Sequence, residues 1–314
     1  MKERKEICPV LPQELRTSMA DMNWDGLEEI RLRCGYPIEL IYYNRLEILK
    51  DCPISILPGH IMETLNYITG YAIYAMSEEI RQGYLTIKGG HRVGLSGKTT
   101  LGRDGIHSIV DINGLNIRVA RQCIGCANAL LPYIRQASSI YNTLLCSSPG
   151  MGKTTYLRDL IRSISMGDKN QAGLKVGVVD ERSEIGASYQ GKVQNDLGPR
   201  TDLLDGCPKV LGMELLLRSM SPQIIAVDEL GKEEEFQQLA KVRRQGVQVL
   251  GTMHGDSINE LLDLYGNHLR QTFRRVIWIG KTESGLRTTR VYAWGEENET
   301  SGNWNDRNRY YRLS

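Results

Sequence analysis

The nine residues 147–155, SSPGMGKTT, have the types and spacing of a phosphate-binding loop. Such a loop needs a buried strand before it, glycines that let backbone N–H groups converge on the phosphates, and a helix directly after it. The apolar run at 140–147 predicts the strand, and the apolar spacing within 154–164 predicts the helix. Related loops open with glycine or alanine where this chain has Ser147, and serine is small enough to fit.

We therefore predict that this loop binds ATP with Mg²⁺. Lys153 would reach the β- and γ-phosphates, and the Thr154 hydroxyl would bind the metal. The predicted nucleotide-binding residues are Ser148, Pro149, Gly150, Met151, Gly152, Lys153, Thr154 and Thr155.

A second GKTT occurs at 97–100, but its context differs. The bulky Arg92 stands where the loop should open, and a turn and a strand follow instead of a helix. This copy is therefore predicted to lie in a β-hairpin with Lys98 exposed.

An acidic pair, Asp228 and Glu229, follows the apolar run IIAV at 224–227. Ligands of open α/β sheets bind at the carboxyl ends of strands, so Asp228 is predicted to hold Mg²⁺ and Glu229 to activate the attacking water. An isolated Asp-Glu pair is otherwise a cap for the next helix, but the upstream loop favours the catalytic role. The pair favours ATP over GTP, and the guanine-reading motif N-K-x-D and the signature LSGGQ are both absent from the sequence.

Two further strand ends carry polar residues. The first has Asp180, Glu181 and Glu184, and the second has Thr252 and His254. In a parallel sheet these ends converge on one rim. His254 is therefore a candidate to sense the γ-phosphate or to couple it to a neighbouring subunit, with a purely structural histidine as the alternative.

The composition excludes several classes of protein. With 39 basic and 37 acidic residues the net charge is only +2, which argues against a general nucleic-acid coat protein. No apolar run is long enough for a membrane span, and no signal peptide is evident, so a cytoplasmic protein is expected. Seven cysteines indicate no disulfide framework; we interpret the C-x-x-C at Cys123 and Cys126 as two buried thiols, with a redox pair or half a zinc site as alternatives.

The elements divide the chain into parts. Residues 1–126 alternate between period-two runs and one long helical pattern at 60–82, which predicts a smaller N-terminal α+β domain. Residues 127–295 alternate strands with helices, which predicts an α/β domain whose parallel sheet is covered on both faces. Residues 296–314 form a polar C-terminal tail.

Several motifs make the chain resemble the stage III sporulation protein AA family of endospore-forming bacteria. They are EIRLRCGYPIEL, GGHRVGLSG, VVDERSEI, RTDLLDGCPK, LLRSMSPQIIAVDELG and GTMHG. That family looks like a relative of the secretion and pilus-retraction ATPases. The resemblance implies a RecA-like P-loop core, a hexameric ring, and action on the mother-cell side of the septum beneath membrane-embedded stage III sporulation proteins.

The resemblance also implies roles for single residues. Glu181 and Glu184 resemble the acidic box of the secretion ATPases, and Thr252 and His254 resemble their histidine box. The secretion family commonly has Gly-Glu where this chain has Asp228 and Glu229. Rings of this kind use arginines that reach a neighbour's site, and the candidates, each with a surface or ion-pair role as its alternative, are Arg118, Arg121 and Arg218.

Two other functions stay open at this point. A RecA-like core also supports nucleic-acid translocation, but the ATPase part has basic clusters only at 241–246 and 273–276, so nucleic acid is not the expected partner. The other is a nucleotide-regulated scaffold that binds ATP with little turnover, against which Glu229 argues.

Overall fold

The computed structural model describes residues 2–43, 45–49, 55–102, 105–169, 171–281, 287–293 and 311–313. The chain forms two compact units, Met1–Arg121 with Ala187–Asn195, and Gln122–Gly186 with Asp196–Ser314. The domain boundary at residue 126 stays a prediction. The sequence did not indicate that 187–195 packs with the N-terminal unit.

The N-terminal unit is an antiparallel sheet covered by short helices. Its helices are α1 (Lys2–Ile7), α2 (Gln13–Ser18), α3 (Pro58–Thr69) and α4 (Ser77–Arg81), with 3₁₀ turns at Cys8–Val10, Ile73–Met76 and Lys88–Gly90. Its strands are β1 (Leu27–Arg33), β2 (Glu39–Tyr42), β3 (Arg45–Ile48), β4 (Tyr84–Thr86), β5 (Arg92–Gly102) and β6 (Gly105–Arg118). The sheet order is β3-β2-β1-β6-β5-β4, with all neighbours antiparallel.

The predicted helix at 60–82 is wrong in its length. α3 ends at Thr69 because Gly70 adopts a left-handed conformation with φ 59°, which is the usual way to stop a helix. Tyr71 is also left-handed, with φ 64°, and a 3₁₀ turn at Ile73–Met76 follows, so the α-helix does not resume until the short α4. The apolar spacing continues across this break, and that continuity led to the overlong prediction.

The segment 187–195 packs against the 3₁₀ turn of the N-terminal unit. The Gly89 N–H donates to Gln194 Oε1 at 2.9 Å. A Cβ on Gly90 would lie 2.7 Å from the Cβ of Ala187, so only glycine permits this close packing.

The second unit contains the predicted parallel sheet. Its helices are α5 (Leu131–Ile134), α6 (Lys153–Met166), α7 (Lys209–Ser219), α8 (Glu233–Arg244) and α9 (Ile258–Thr272), with a 3₁₀ turn at Asn128–Leu130. Its strands are β7 (Thr143–Ser147), β8 (Val176–Asp180), β9 (Thr201–Asp205), β10 (Ile224–Val227), β11 (Gln248–His254), β12 (Arg275–Lys281), β13 (Arg287–Ala293) and β14 (Tyr311–Leu313).

The strand order of this sheet is β14-β13-β12-β7-β11-β10-β8-β9. Neighbours from β12 to β9 are parallel, whereas β13 and β14 add antiparallel strands at one edge. The α/β fold class predicted from the sequence is thus confirmed. β14 lies within the predicted polar tail, most of which falls outside the described residues.

The central strands are buried because helices cover both faces of the sheet. Every residue of β7, β8 and β10 is buried, as expected for apolar runs in a parallel sheet. Leu145 packs into one core together with the apolar face of α6, whereas its neighbours Leu144 and Cys146 pack into the opposite core with α7 and α8. Among the described helices, none has the length and apolar content that a membrane crossing requires.

Candidate nucleotide site

The phosphate-binding loop joins the buried end of β7 to the start of α6. Gly150 and Gly152 have φ angles of 74° and 92°, in the left-handed region that glycine enters without strain. The loop therefore turns sharply and delivers Lys153 as the first residue of α6. The N-terminus of this long helix faces the loop, which favours an anion there.

Lys153 is buried and has polar partners on two strands. Its ammonium lies 3.3 Å from both the carbonyl oxygen and Oγ of Ser147. It also lies 2.6 Å from His254 Nδ1, at the end of β11. Burial lowers the pKa of Lys153, and the charges of Asp228 and Glu229 oppose that shift. Ser147, in the place of the usual glycine or alanine, thus fits without distorting the strand and contributes an oxygen to the lysine.

Asp228 gathers the hydroxyls of two other elements. Its Oδ2 accepts a hydrogen bond from Thr154 Oγ1 at 3.1 Å. Its Oδ1 accepts from the buried Thr252 hydroxyl and from the Glu229 N–H, the latter at 3.0 Å. A hydroxyl and a carboxylate at this distance are the hard oxygen ligands that Mg²⁺ prefers, so this pair fits the predicted metal.

Glu229 is held in an uncommon backbone conformation beside this pair. Its φ is 47°, a left-handed value that costs a non-glycine residue free energy and is often found at functional sites. The Glu229 N–H donates to Thr252 Oγ1 at 2.9 Å, which stabilises the conformation. The carboxylate lies beside His254, which ends the neighbouring strand β11.

His254 connects Glu229 to Lys153. Its Nε2 lies 3.0 Å from Glu229 Oε1, while its Nδ1 faces the Lys153 ammonium. A neutral imidazole protonated on Nε2 satisfies both contacts, since it donates to the carboxylate and accepts from the ammonium. The second carboxylate oxygen, Oε2, forms an ion pair with Arg182. The result is a chain of contacts from Lys153 through His254 and Glu229 to Arg182.

The acidic loop after β8 is built around a buried carboxylate. Asp180 accepts the N–H groups of Glu184, Ile185 and Gly186 at 2.8, 2.9 and 2.8 Å. Burial raises the pKa of Asp180 to about 6 even though these hydrogen bonds oppose the shift. Arg158 on α6 donates to the carbonyl oxygens of Glu184 and Ile185 at 2.9 and 3.0 Å. Glu184 therefore contributes its main chain to the closure of this loop.

Glu181 belongs to a separate network on the α7 side. The buried Lys209, at the start of α7, lies 2.7 Å from Glu181 Oε2 and 3.1 Å from Glu235 Oε1. Glu235 Oε2 in turn accepts the N–H groups of Gly231 and Lys232 at 2.8 and 3.1 Å. One ammonium thus joins the loop after β8 to the loop that follows Glu229.

The pKa values of Lys209 and Glu181 move as an ion pair requires. Burial disfavours the charge on Lys209, but the hydrogen bonds and charges of Glu181 and Glu235 outweigh it and raise the pKa of Lys209. For Glu181, burial acts to raise the pKa, and the stronger combined effect of Lys209 and the neighbouring cations lowers it. Lys209 and Glu181 are therefore both charged at neutral pH.

Sequence reasoning did not find Arg182, Arg158, Lys209 or Glu235. The signal available for Arg182 was its position between Glu181 and Glu184 in VVDERSEI. The contacts of Lys209 and Glu235 join residues 28 and 26 positions apart in the chain, and no local pattern indicates them.

The candidate trans-acting arginines have other surroundings. Arg118 lies 3.9 Å from Glu29 in the N-terminal unit. Arg121 pairs with Glu3 at 3.3 Å and donates to the Trp24 carbonyl oxygen at 2.9 Å. Arg218 is exposed in the last turn of α7. A role in a neighbour's site stays a prediction for each of them.

Two other sequence interpretations are settled by the structure. The GKTT at 97–100 lies in β5 and pairs with β6 in a hairpin, with Lys98 exposed, as predicted. The interpretation of Cys123 and Cys126 as two buried thiols is wrong for Cys123, which is exposed. Burial raises the pKa of the half-buried Cys126 to about 12, so that thiol stays protonated at neutral pH.

A parallel sheet with a strand–loop–helix phosphate cradle and acidic strand ends defines an α/β protein of the RecA-like P-loop class. The solved structure of the Legionella pneumophila ATPase DotB has this fold, with a TM-score of 0.59, 17% identity, and coverage of 90% of this chain and 80% of that one. The pilus retraction motor PilT has it too, with a TM-score of 0.57, 15% identity, and coverage of 90% and 83%.

Within that class, the chain belongs to the family described as Sporulation stage III, protein AA, whose model matches residues 1–296. It is 41% identical over 260 residues to the stage III sporulation protein AA of Bacillus subtilis (strain 168), covering 82% of this chain and 83% of the relative. The resemblance inferred from the sequence motifs is confirmed.

Proposed function

We propose that this protein is an ATPase that binds ATP and Mg²⁺ at 148–155 and hydrolyses ATP to ADP and phosphate. The observation that carries the proposal is the meeting of four groups at one rim of the sheet. Lys153, the Thr154–Asp228 pair, Glu229 and His254 come from the loop and two strand ends. His254 contacts both Lys153 and Glu229. Asp228 contacts Thr154 and the Glu229 N–H. This set contains a phosphate-binding cation, metal-binding oxygens and a base for water.

In this proposal each group has one task. The loop N–H groups and Lys153 bind the β- and γ-phosphates, and Thr154 and Asp228 hold Mg²⁺, which neutralises phosphate charge. Glu229 orients the attacking water and accepts its proton. His254 exchanges its contact with Lys153 for the γ-phosphate and passes the change to Glu229, to which it is already hydrogen-bonded.

We further propose that the ATPase works as a hexameric ring. The ring would lie on the mother-cell side of the forespore septum and act with membrane-embedded stage III sporulation proteins. Family membership supports the sporulation context, and the RecA-like fold shared with DotB and PilT supports a motor. Nucleic-acid translocation is less well supported because Arg275, in one of the basic clusters, is buried, with its guanidinium 3.9 Å from the Tyr141 ring centre.

The test is steady-state ATP hydrolysis by the full chain, with each GKTT lysine changed in turn. Lys153→Ala should abolish turnover, and Lys98→Ala, a matched change in the same tetrapeptide, should leave it within about twofold of wild type. Loss of turnover in Lys98→Ala alone would overturn the site assignment. A wild-type protein that assembles with ATP but does not hydrolyse it would instead favour the scaffold.

A further inference from the structure

An open surface cavity in the N-terminal unit is lined by exposed cations, none of which belongs to the candidate nucleotide site. It measures about 600 Å³ and is bounded by Arg4, Lys5, Cys8, Pro9 and Arg16. That volume is in the range of about 300–1,000 Å³ that is usual for small-molecule sites.

The local fold explains why three cations face one space. Ile7, Leu11 and Leu15 are fully buried and anchor α1, the following 3₁₀ turn and α2 in the core. The 3₁₀ turn at Cys8–Val10 connects the two helices, and basic residues of both lie around the same cavity. Cys8 and Pro9 complete the lining between them.

The acidic residues of the two helices are engaged elsewhere. Glu3 lies 3.3 Å from Arg121, Glu6 lies 3.2 Å from His91, and Glu14 lies 3.0 Å from His60. These three carboxylates thus have partners in the rest of the unit, and Glu6 also lies 3.8 Å from Lys2 within α1, whereas Arg4, Lys5 and Arg16 lie at the cavity.

The cavity cations have no such partners within the part of the chain that the structure describes. None of its ion pairs involves Arg4, Lys5 or Arg16. The Cys8 thiol offers no counter-charge, because burial raises its pKa and so keeps it protonated, although Arg4 and Arg16 weaken the shift. Solvent screens part of the repulsion between these exposed cations, and a bound anion relieves the remainder.

We propose that this cavity binds the phosphate group of an anionic ligand, either a free phosphate monoester or a lipid phosphate headgroup. Two arginines favour phosphate because a guanidinium donates two parallel hydrogen bonds to its oxygens. A phosphate monoester carries a charge of about −1.5 to −2 at neutral pH, which matches three cations better than a single carboxylate does. The proposal does not depend on ATP hydrolysis.

The test measures phosphate binding by the full chain in the Lys153→Ala background, which weakens the contribution of the nucleotide loop. Glycerol 3-phosphate, titrated calorimetrically, is the free probe. Vesicles of phosphatidylcholine with phosphatidic acid, assayed by sedimentation, are the lipid probe, and pure phosphatidylcholine vesicles are the neutral control.

Arg4→Gln with Arg16→Gln should weaken binding at least tenfold. The matched control removes two charges outside the cavity, Lys2→Gln with Lys98→Gln, and should change binding by less than threefold. Arg4→Lys with Arg16→Lys keeps the charge but loses the planar fork, so we expect an intermediate affinity. Thermal unfolding establishes that each variant is folded.

Either probe can support the proposal, and the pattern identifies the source of the phosphate. Binding of glycerol 3-phosphate indicates a free ligand, and binding of phosphatidic acid vesicles without it indicates a lipid headgroup. Binding of neither probe would overturn the proposal. So would equal losses in the cavity variant and the control, since net charge alone would then account for the attraction.

Discussion

The same four residues, GKTT, stand in two parts of this molecule and have different surroundings. At 97–100 they continue a strand, with Lys98 opposite Val110 and exposed to solvent. At 152–155 they begin a helix, and Lys153 is only 4% exposed. The tetrapeptide by itself therefore specifies neither a structure nor a function; the residues before and after it do.

The two glycines illustrate the difference in physical terms. Gly152 is needed for its conformation, since its φ of 92° is strained for any residue with a Cβ. Gly97 is needed for space, because a Cβ there would lie 2.6 Å from the Val110 carbonyl oxygen and 2.9 Å from Ile112 Cα on the paired strand. One glycine permits the sharp turn before α6, and the other permits two strands to approach.

The largest expected effect is at Glu229, and it tests the contrast between the two GKTT copies. Glu229 contacts His254, which in turn contacts Lys153 of the copy at 152–155. Glu229→Gln should lower kcat by about 100-fold or more, because a general base contributes at least that much. ATP should still bind, and its retention on the protein is measured by filter binding beside the turnover assay. Glu234→Gln, on the exposed first turn of α8, is the matched control and should retain activity. Unchanged turnover in Glu229→Gln would remove Glu229 as the base.

The next effect concerns the buried network beside the site. Lys209→Met leaves Glu181 and Glu235 without their common cation, and removal of one partner of a buried ion pair costs about 3 kcal/mol of unfolding free energy. Urea unfolding measures this loss. Adding Glu235→Gln should restore part of the stability, because the repulsion between the two carboxylates is then removed. A double variant less stable than Lys209→Met would contradict the network.

A smaller effect tests the two glycines against each other. Gly152→Ala should reduce ATP turnover by about tenfold through displacement of the loop, with modest loss of stability. Gly97→Ala should cost about 1–3 kcal/mol of stability through the clash with β6 and should leave turnover per folded molecule unchanged. Thermal unfolding and initial rates on the same samples separate the two. Equal effects on turnover would break the comparison.

The last effect, similar in size to that of Gly97→Ala, depends on pH. The pKa of Asp180 is raised from 3.8 to about 6 in the folded protein, so this group stabilises the fold at low pH and that stabilisation is lost as the pH rises through 6. Asp180→Asn has no such titration. The stability of wild type relative to this variant should therefore fall by about 2–3 kcal/mol between pH 4 and pH 7. Urea unfolding across that range measures it, and a constant difference would argue against the raised pKa.

The features that could be predicted from the sequence are those that depend on residues close together along the chain. The phosphate-binding loop, the buried strands and the hairpin all follow from local apolar pattern and turn residues. β9 was not predicted, because TDLLD alternates weakly and no residue of this strand is fully buried. The antiparallel strand β13 was also missed, since it follows a segment of the chain rich in polar residues.

The site shows the same limit at the level of side chains. Asp228, Glu229 and His254 were predicted because each ends a buried strand. Arg182 and Lys209 were not predicted, because their contacts join elements whose spacing only the folded sheet defines. A contact between residues far apart in the sequence produces no pattern in a short stretch of sequence, so it cannot be predicted from one.

The contact between Lys153 and His254 has a consequence for the kinetics of the nucleotide. His254 Nδ1 lies 2.6 Å from the Lys153 ammonium, the group that binds the γ-phosphate in the proposed function. An internal ligand of this kind competes with the external one, so the measured affinity is the intrinsic affinity reduced by the fraction of molecules in which the lysine is free. The contact between His254 and Lys153 can form again once the γ-phosphate has been cleaved. We therefore expect His254 to shorten the residence time of ADP, so that weaker binding and faster release come from a single side chain.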